Sequence, residues 1–503
     1  MALEPKLVYR EPLTEKYPHI ARSSEEILRC IKCGLCRAVC PTLIETVSES
    51  EGARGRVSLV EAVLDGRLRL SDVFAKRIST CINCKACIEA CPSGVRVDDI
   101  VLAARAELVS RGKFPFFKRL ILRGLLKRGR LLPPVGKTAS LFQRALLRLS
   151  PKGSALRLLL PVVRIDKERH LPVFAPRSFR EQIPQIVSSK EAPKVSKEIK
   201  PTHSDTMVPN LQEGKRDPGH DEGLVFGSPT VQRPPLRAVY FVGCACNLIY
   251  TNIAFSVVDV LTKLGVDVII PPLQGCCGTP VFNAGDFLTA REMAKKNMEA
   301  LAVSEVDAIV VSCASCGLAL KREYSKILGL ETAGFSEKVM DVSEFIVKKI
   351  GLEALKSAIE RSSGVPVEAC RKQQREIVVT YHDPCHLKRG QGVRDEPREI
   401  IRIIPGLRFV EMSEPDRCCG GGGLYSFTHY EMSKAVASHK VNAIKETGAE
   451  IVLTSCPSCI LQLRDALAQA GLSVNVTHVI ELLARVLRGP VVLRRPAEMT
   501  RAT

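Results

Sequence analysis

The chain has 503 residues, 20 cysteines and a formal net charge of +19. That length exceeds what one compact core serves, so two or three domains are expected, each able to bury enough apolar surface to stand without disulfides. Many cysteines suit a secreted disulfide scaffold in a short chain, but the opening "MALEPKLVYREPLTEKYPHI" carries no apolar signal-peptide core and the cysteines fall in tight clusters, so metal ligation in a reducing cytoplasm is expected.

Residues 20–112 contain two matching runs. "CIKCGLCRAVCP" places Cys30, Cys33, Cys36 and Cys40 before Pro41, and "CINCKACIEACP" places Cys81, Cys84, Cys87 and Cys91 before Pro92. Both follow C-x2-C-x2-C-x3-C-P, in which three thiolates from one tight loop hold three irons of a cubane and the fourth crosses to the other cluster. The expected ligand sets are Cys30, Cys33, Cys36 with Cys91, and Cys81, Cys84, Cys87 with Cys40. Structural zinc knots are the competing reading, although zinc usually takes two separated cysteine pairs. Between the runs, "RGRVSLVEAVLDGRLRLSDVFAKRIS" sets Leu and Val on one helical face, which predicts an α-helical ferredoxin domain rather than the small β-rich type.

Residues 113–180 are basic, with seventeen Lys and Arg against Asp166 and Glu168. Here "FFKRLILRGLLKRGRLL" spaces Arg119, Arg123 and Lys127 at helical intervals opposite Leu and Ile, and Arg144 and Arg148 repeat the spacing beside Leu141, Phe142, Leu146 and Leu149. A cationic amphipathic segment suits an anionic membrane surface on the cytoplasmic face; a solvated helix packed on its own domain is the plainer alternative. No nucleic acid partner is expected, since no recognised binding module accompanies the charge. Residues 181–235, rich in Pro, Ser, Lys and Glu, predict a disordered linker. The charge-free run 238–258 contains Gly243, Asn247, Thr251 and Asn252 and reads as a strand, turn and helix start rather than a membrane span.

The remaining residues hold an internal repeat. Cys244, the pair Cys276 and Cys277 with Gly278, then Cys313 and Cys316 form one copy, expected over 236–365. Cys385, the pair Cys418 and Cys419 with Gly420 and Gly421, then Cys456 and Cys459 form the second, over 375–490. Apolar runs such as "LRAVYFVGC" and "EIVVTYHDPC" predict buried strands feeding cysteines, so each copy is a duplicated α/β unit bringing five sulfurs to the carboxyl edge of a sheet. Five thiolates exceed one tetrahedral metal or one cubane, which points to a larger or opened cluster, with the glycines letting backbone N–H groups approach sulfide. A phosphate loop and a thiol-disulfide site are the alternatives; the first lacks the Lys-Ser/Thr that follows a P-loop and the second normally needs one pair. Cys246 and Cys370 fall outside the pattern, and His382 and His386 read as supporting donors or core residues.

The two C-x2-C-x2-C-x3-C-P runs, "EGARGRVSLVEAVLDG" between them, and "YHDPCHLKRGQGVRDEPREIIRIIPG" through "CCGGGG" to "ETGAEIVLTSCPSCILQL" resemble the iron-sulfur subunit of glycolate oxidase and the related D-type subunit of heterodisulfide reductase. The resemblance implies two [4Fe-4S] clusters in the ferredoxin domain and one or two further clusters, noncubane in the reductases, in the cysteine-rich CCG domains. It also implies electron transfer from an FAD-containing dehydrogenase subunit toward a quinone or haem acceptor at the membrane. No flavin or dinucleotide motif is visible in this chain. The expected function is the electron-transfer subunit of a flavin-linked 2-hydroxyacid (glycolate or lactate) oxidoreductase. The alternative is a catalytic subunit cleaving a disulfide, in which Cys276, Cys277, Cys418 and Cys419 are the reactive positions. That alternative gains from both five-cysteine sets being complete, since glycolate oxidase-type subunits often lose part of the CxxC.

Overall fold

The computed structural model describes residues 15–113, 119–149, 172–190, 235–364 and 376–489. Cys370 and the side chains of Arg144, Leu146, Arg148 and Leu149 lie outside the described residues. Residues 15–113 form short helices around two longer ones, Ala53–Leu64 and Val97–Ser110, with their own apolar core.

The two cysteine-rich copies share one core. In the first, β1 (Ile186–Val187), β2 (Leu236–Phe241), β3 (Val266–Ile269), β4 (Ala308–Val311) and β5 (Val339–Asp341) form a sheet in the order β1-β3-β2-β4-β5. In the second, β6 (Ile377–Tyr381), β7 (Leu407–Phe409), β8 (Ile451–Thr454) and β9 (Asn475–His478) form a sheet in the order β7-β6-β8-β9. All pairs are parallel except β1 with β3. Every residue of β4 and β8 is buried, as strands covered on both faces require.

The register repeats with the sequence. Ala238 pairs Ala308 and Val379 pairs Ile451, offsets of 141 and 143 residues that match those of the cysteines those strands feed. A buried tyrosine–serine bond recurs as well: Tyr240 Oη to Ser312 Oγ at 2.7 Å, and Tyr381 Oη to Ser455 Oγ at 3.0 Å.

Two boundaries differ from the sequence reading. Residues 186–187 of the expected linker add the antiparallel edge strand β1, because Ile270 and Asp267 offer neighbouring residues backbone and side-chain partners. In the basic segment, Arg123 and Lys127 pair with Asp286 at 2.6 Å and Glu292 at 2.7 Å while staying partly exposed, and Leu120 and Ile121 stand exposed. The cationic row is thus partly spent on packing against the first copy.

The ferredoxin domain wedges against both copies. Lys85 Nζ reaches Asp98 at 2.5 Å in its own domain and Glu323 at 3.1 Å in the first copy, all three side chains buried. A mixed cluster of Ile82, Cys84, Ala86, Cys418, Tyr425 and Val436 joins it to the second. At the first-copy contact Gly285 has φ +94°, and a Cβ there would lie 2.4 Å from the Arg105 carbonyl oxygen.

Asp341 ends β5, and its Oδ1 accepts a bond from Ser343 N at 2.8 Å. Burial pushes its carboxyl up from 3.8 to about 7. A carboxyl with a raised folded value contributes stability that is fully present below about pH 4 and is lost as pH rises toward 7. Asp341→Asn keeps the acceptor, so anaerobic urea melts across that window should show a flatter fall in stability than in the parent protein.

Candidate metal centres

The ferredoxin loops are built alike. Lys32 and Asn83 take positive φ at the same motif position, as do Gly34 and Lys85 two residues later, and this curls each loop so that its cysteines face inward. Cys30, Cys33, Cys36 and Cys91 line one small cavity, Cys40, Cys81, Cys84 and Cys87 line another, and Cys87 borders the first as well. Cys33 is exposed, whereas Cys40 and Cys84 are buried, so the second cavity is the inner one. Burial raises the Cys36 and Cys87 thiols.

Arg56 serves the inner cavity. Its guanidinium is buried, donates to Thr42 Oγ1 at 3.0 Å and Thr80 Oγ1 at 2.8 Å, and lies 4.0 Å from Cys40 Sγ. A buried cation with no carboxylate among these partners suits a site whose thiolates carry negative charge. Composition alone does not single it out, although it stands in the quoted "EGARGRV" stretch.

In the α/β copies every matched cysteine sits beyond the carboxyl end of a strand. Cys244 lies in the helix after β2 and Cys385 starts the helix after β6; Cys313 and Cys456 cap the helices after β4 and β8. The adjacent pairs follow β3 and β7. Each chain order places β2 or β6 inside its sheet with connections leaving to both sides, and such a switch point opens a crevice at the strand ends. The two crevices face each other, and all ten matched cysteines line one cavity of about 480 Å³.

Within it the thiols run in series, each near enough to shift the titration of the next. Cys276 meets Cys244 and Cys277; Cys277 meets Cys316; Cys316 meets Cys313. Cys313 meets Cys456 of the second copy, Cys456 meets Cys459, and Cys459 meets Cys419. Cys418 contacts both Cys385 and the ferredoxin residue Cys84. Through the Cys418 contact Cys385 is drawn down to about 6 and Cys84 to about 7. The second copy is therefore the one whose cysteines adjoin the inner ferredoxin cavity.

The glycines after Cys419 have distinct jobs. Gly420 N donates to Cys418 Sγ at 3.4 Å, its φ is +80°, and a Cβ there would lie 2.5 Å from the Ser433 carbonyl oxygen. Gly421 lines the cavity, and Gly278 (φ +86°) caps the helix after Cys277.

Around the cysteine pairs the copies diverge. Asn297 donates to the Cys276 carbonyl at 2.9 Å, whereas 143 residues on Lys440, fully buried and drawn down to about 8 by burial, donates to the Glu414 and Pro415 carbonyls at 2.6 and 3.1 Å. His386 bridges three units, Nδ1 to Ser315 Oγ at 2.9 Å and Nε2 to the Asn83 carbonyl at 3.2 Å. His382 is buried beside Cys419 and Cys459, the ligand atoms of the three lying within 4.8 Å of one another. Cys246, whose thiol burial pushes up to about 12, contacts Ser312 and has no counterpart in the repeat.

Comparison with known proteins agrees with this layout. A 4Fe-4S dicluster domain matches residues 26–95, and the cysteine-rich CCG domain matches twice, at 238–321 and 379–464. The chain is 29% identical to the probable glycolate oxidase iron-sulfur subunit of Bacillus subtilis, over 91% of this chain and 93% of that one. It is 25% identical to the glycolate oxidase iron-sulfur subunit of Escherichia coli, over 94% and 98%. It is 32% identical to the D-type subunit of the dihydromethanophenazine:CoB–CoM heterodisulfide reductase of Methanosarcina mazei, over 58% of this chain and 70% of that one. With a dicluster domain and two CCG domains in this order, the chain belongs to the family of iron-sulfur oxidoreductase subunits that includes those of glycolate oxidase and the D-type subunits of heterodisulfide reductase.

Proposed function

We propose that this protein is the electron-transfer subunit of a flavin-linked 2-hydroxyacid oxidoreductase, glycolate or lactate being the substrate class of its complex. One observation carries the reading: cysteine sites form a continuous series from exposed Cys33 at one end, through Cys84 and Cys418, into the cavity shared by the two copies. Soft thiols gathered about two small cavities, and ten of them about a larger one, suit iron-sulfur clusters. Such clusters supply one-electron storage and passage. The chain's own part is to hold them in order, shield the inner ones, and balance their charge with Arg56.

Cys30, Cys33, Cys36 and Cys91 would hold the outer cubane, and Cys40, Cys81, Cys84 and Cys87 the inner one. Ile31 and Leu35, both exposed beside Cys33, form the face for an FAD-containing partner. The second reading, disulfide reduction, is favoured by the two complete five-cysteine sets opening on one cavity, where a disulfide could meet both. Anaerobic purification of the native complex tests the first: a flavin-bearing chain should co-purify, and glycolate or lactate should reduce the iron-sulfur signals. Reduction only by a thiol couple would transfer the assignment to the second.

Among the described residues no helix is long and apolar enough to cross a membrane. Exposed Leu120, Ile121, Leu141 and Phe142 lie close in sequence to exposed Arg119, Arg128 and Lys137. Apolar side chains flanked by cations match an anionic bilayer surface, where each engaged cation contributes about 1 kcal/mol. The protein should therefore sediment with anionic vesicles and be released by high salt; equal sedimentation with neutral vesicles would contradict this.

A further inference from the structure

The cysteine series has a far end as well as an entrance. From Cys84 the first copy is reached last, across the contact of Cys456 with Cys313, so Cys276 stands at the end opposite exposed Cys33. Cys276 lines the cavity of ten cysteines on one side and a second, larger cavity of about 1410 Å³ on the other.

One wall of this second cavity belongs to the basic segment. The turn between the helical stretches Leu120–Leu126 and Leu132–Leu149 supplies Arg128, Gly129 and Leu131. Those stretches also carry the exposed Leu120, Ile121, Leu141 and Phe142 that suit a bilayer surface. The facing wall is the loop before Cys276 and the helix Phe287–Leu301, with Leu273, Met293 and Ala300. The walls meet at Gly129, where a Cβ would lie 3.5 Å from the Gly275 Cα.

The loop beside Cys276 is fixed by its own bonds. Arg180 donates to the Pro272 and Gln274 carbonyls at 2.8 and 2.6 Å, and Gln274 donates to the Tyr240 carbonyl at 3.0 Å. Asn297 accepts from Gly275 N at 2.8 Å and donates to the Cys276 carbonyl at 2.9 Å. With those polar groups engaged, the lining offers a ligand mostly hydrocarbon, while Arg128 and Lys296 are exposed and keep donors to spare. Ligand pockets of roughly 300–1,000 Å³ hold a drug-sized molecule, so this one has room for a ring and part of a tail.

We propose that this cavity binds a lipid-soluble quinone and that electrons leave the chain there, beside Cys276. This deepens the electron-transfer reading above and rests on it. A quinone joins an apolar tail, suited to exposed Leu131 and Leu273, to a ring whose two carbonyl oxygens accept hydrogen bonds of the kind Arg128 and Lys296 offer. A haem protein could not enter such a space. The electrons balance: the 2-hydroxyacid gives up two electrons and two protons at the flavoprotein partner, and the electrons pass singly along the cysteine series. The quinone takes both, with two protons from water, and leaves as the quinol.

The test is photolabelling of the full chain, purified anaerobically and bound to anionic vesicles, with a short-tailed benzoquinone that carries a diazirine. Saturable labels within residues 126–133 and 270–300, displaced by the unlabelled quinone and read by mass spectrometry, are expected. Ala300→Trp fills the space from a partly buried position and should lower that labelling roughly tenfold, with iron and sulfide content kept. If Ala300→Trp does not fold, Leu273→Ser at a 65% exposed position should also weaken the labelling. Labels confined to the ten-cysteine cavity, about Asn283 and Thr428, overturn the proposal, as do labels unchanged in a folded variant or no saturable label at all. If glycolate or lactate reduces the iron-sulfur signals of the native complex and this cavity takes no label, only this inference falls. If neither acid reduces them, the electron-transfer reading fails and takes the electron exit with it.

Discussion

Cys84→Ser is expected to remove the inner ferredoxin cluster and isolate the outer one from the CCG cavity. Cys84 lies in the inner cavity with Cys40, Cys81 and Cys87, and its side chain is also the ferredoxin group in contact with Cys418. Serine is a poor iron ligand, so iron should fall by about four per chain while the outer site keeps its signal. In the proposed complex the flavoprotein partner should still reduce the outer cluster, and signals from the CCG region should no longer appear on that timescale. Rapid freezing of the complex after mixing with substrate reads both. Unchanged reduction of the CCG signals would mean that electrons enter by another face.

Gly420→Ala should be the most damaging single methyl in the second copy. A left-handed backbone conformation costs an L-residue about 1–2 kcal/mol, and overpacking against a fixed carbonyl adds about 1–3 kcal/mol. The added Cβ would lie 2.5 Å from the Ser433 carbonyl oxygen, which cannot withdraw without moving the helix Tyr430–Thr447 that carries it. Since Gly420 N also donates to Cys418 Sγ, the expected outcome is loss of iron from the second copy with the ferredoxin iron retained. Gly423→Ala is the control: its φ is +62°, but its Cβ would meet no atom within 4 Å. Metal content and anaerobic melts of the two variants compare steric overlap with backbone strain alone.

Much of this arrangement is legible in the sequence because the chemistry is local. A ferredoxin loop needs its three cysteines within one turn of chain, and the repeat offsets of 141 to 143 residues register the two sheets as well as their thiols. What spacing cannot supply is how separate units meet. The contacts of Cys313 with Cys456 and of Cys418 with Cys84 join residues far apart in the chain. Arg123 and Lys127 look like a solvent or membrane face on a helical wheel, and only the fold brings Asp286 and Glu292 to them. His382 and His386 both flank Cys385 and cannot be ranked by sequence, yet one is fully engaged in bridging three units and the other faces two sulfurs without a hydrogen bond.

The CCG cavity, like the ferredoxin domain, is proposed to hold iron-sulfur clusters. Iron, zinc and acid-labile sulfide determined on the full chain purified without oxygen, together with Mössbauer spectra of the isotopically enriched protein, test it most directly. Iron clearly above about eight atoms, the content of two cubanes, is expected, matched by sulfide and resolved into a cubane population and a second, distinct one. About eight irons, with the ten CCG thiols either bound to zinc or free to react with a thiol reagent, would contradict it.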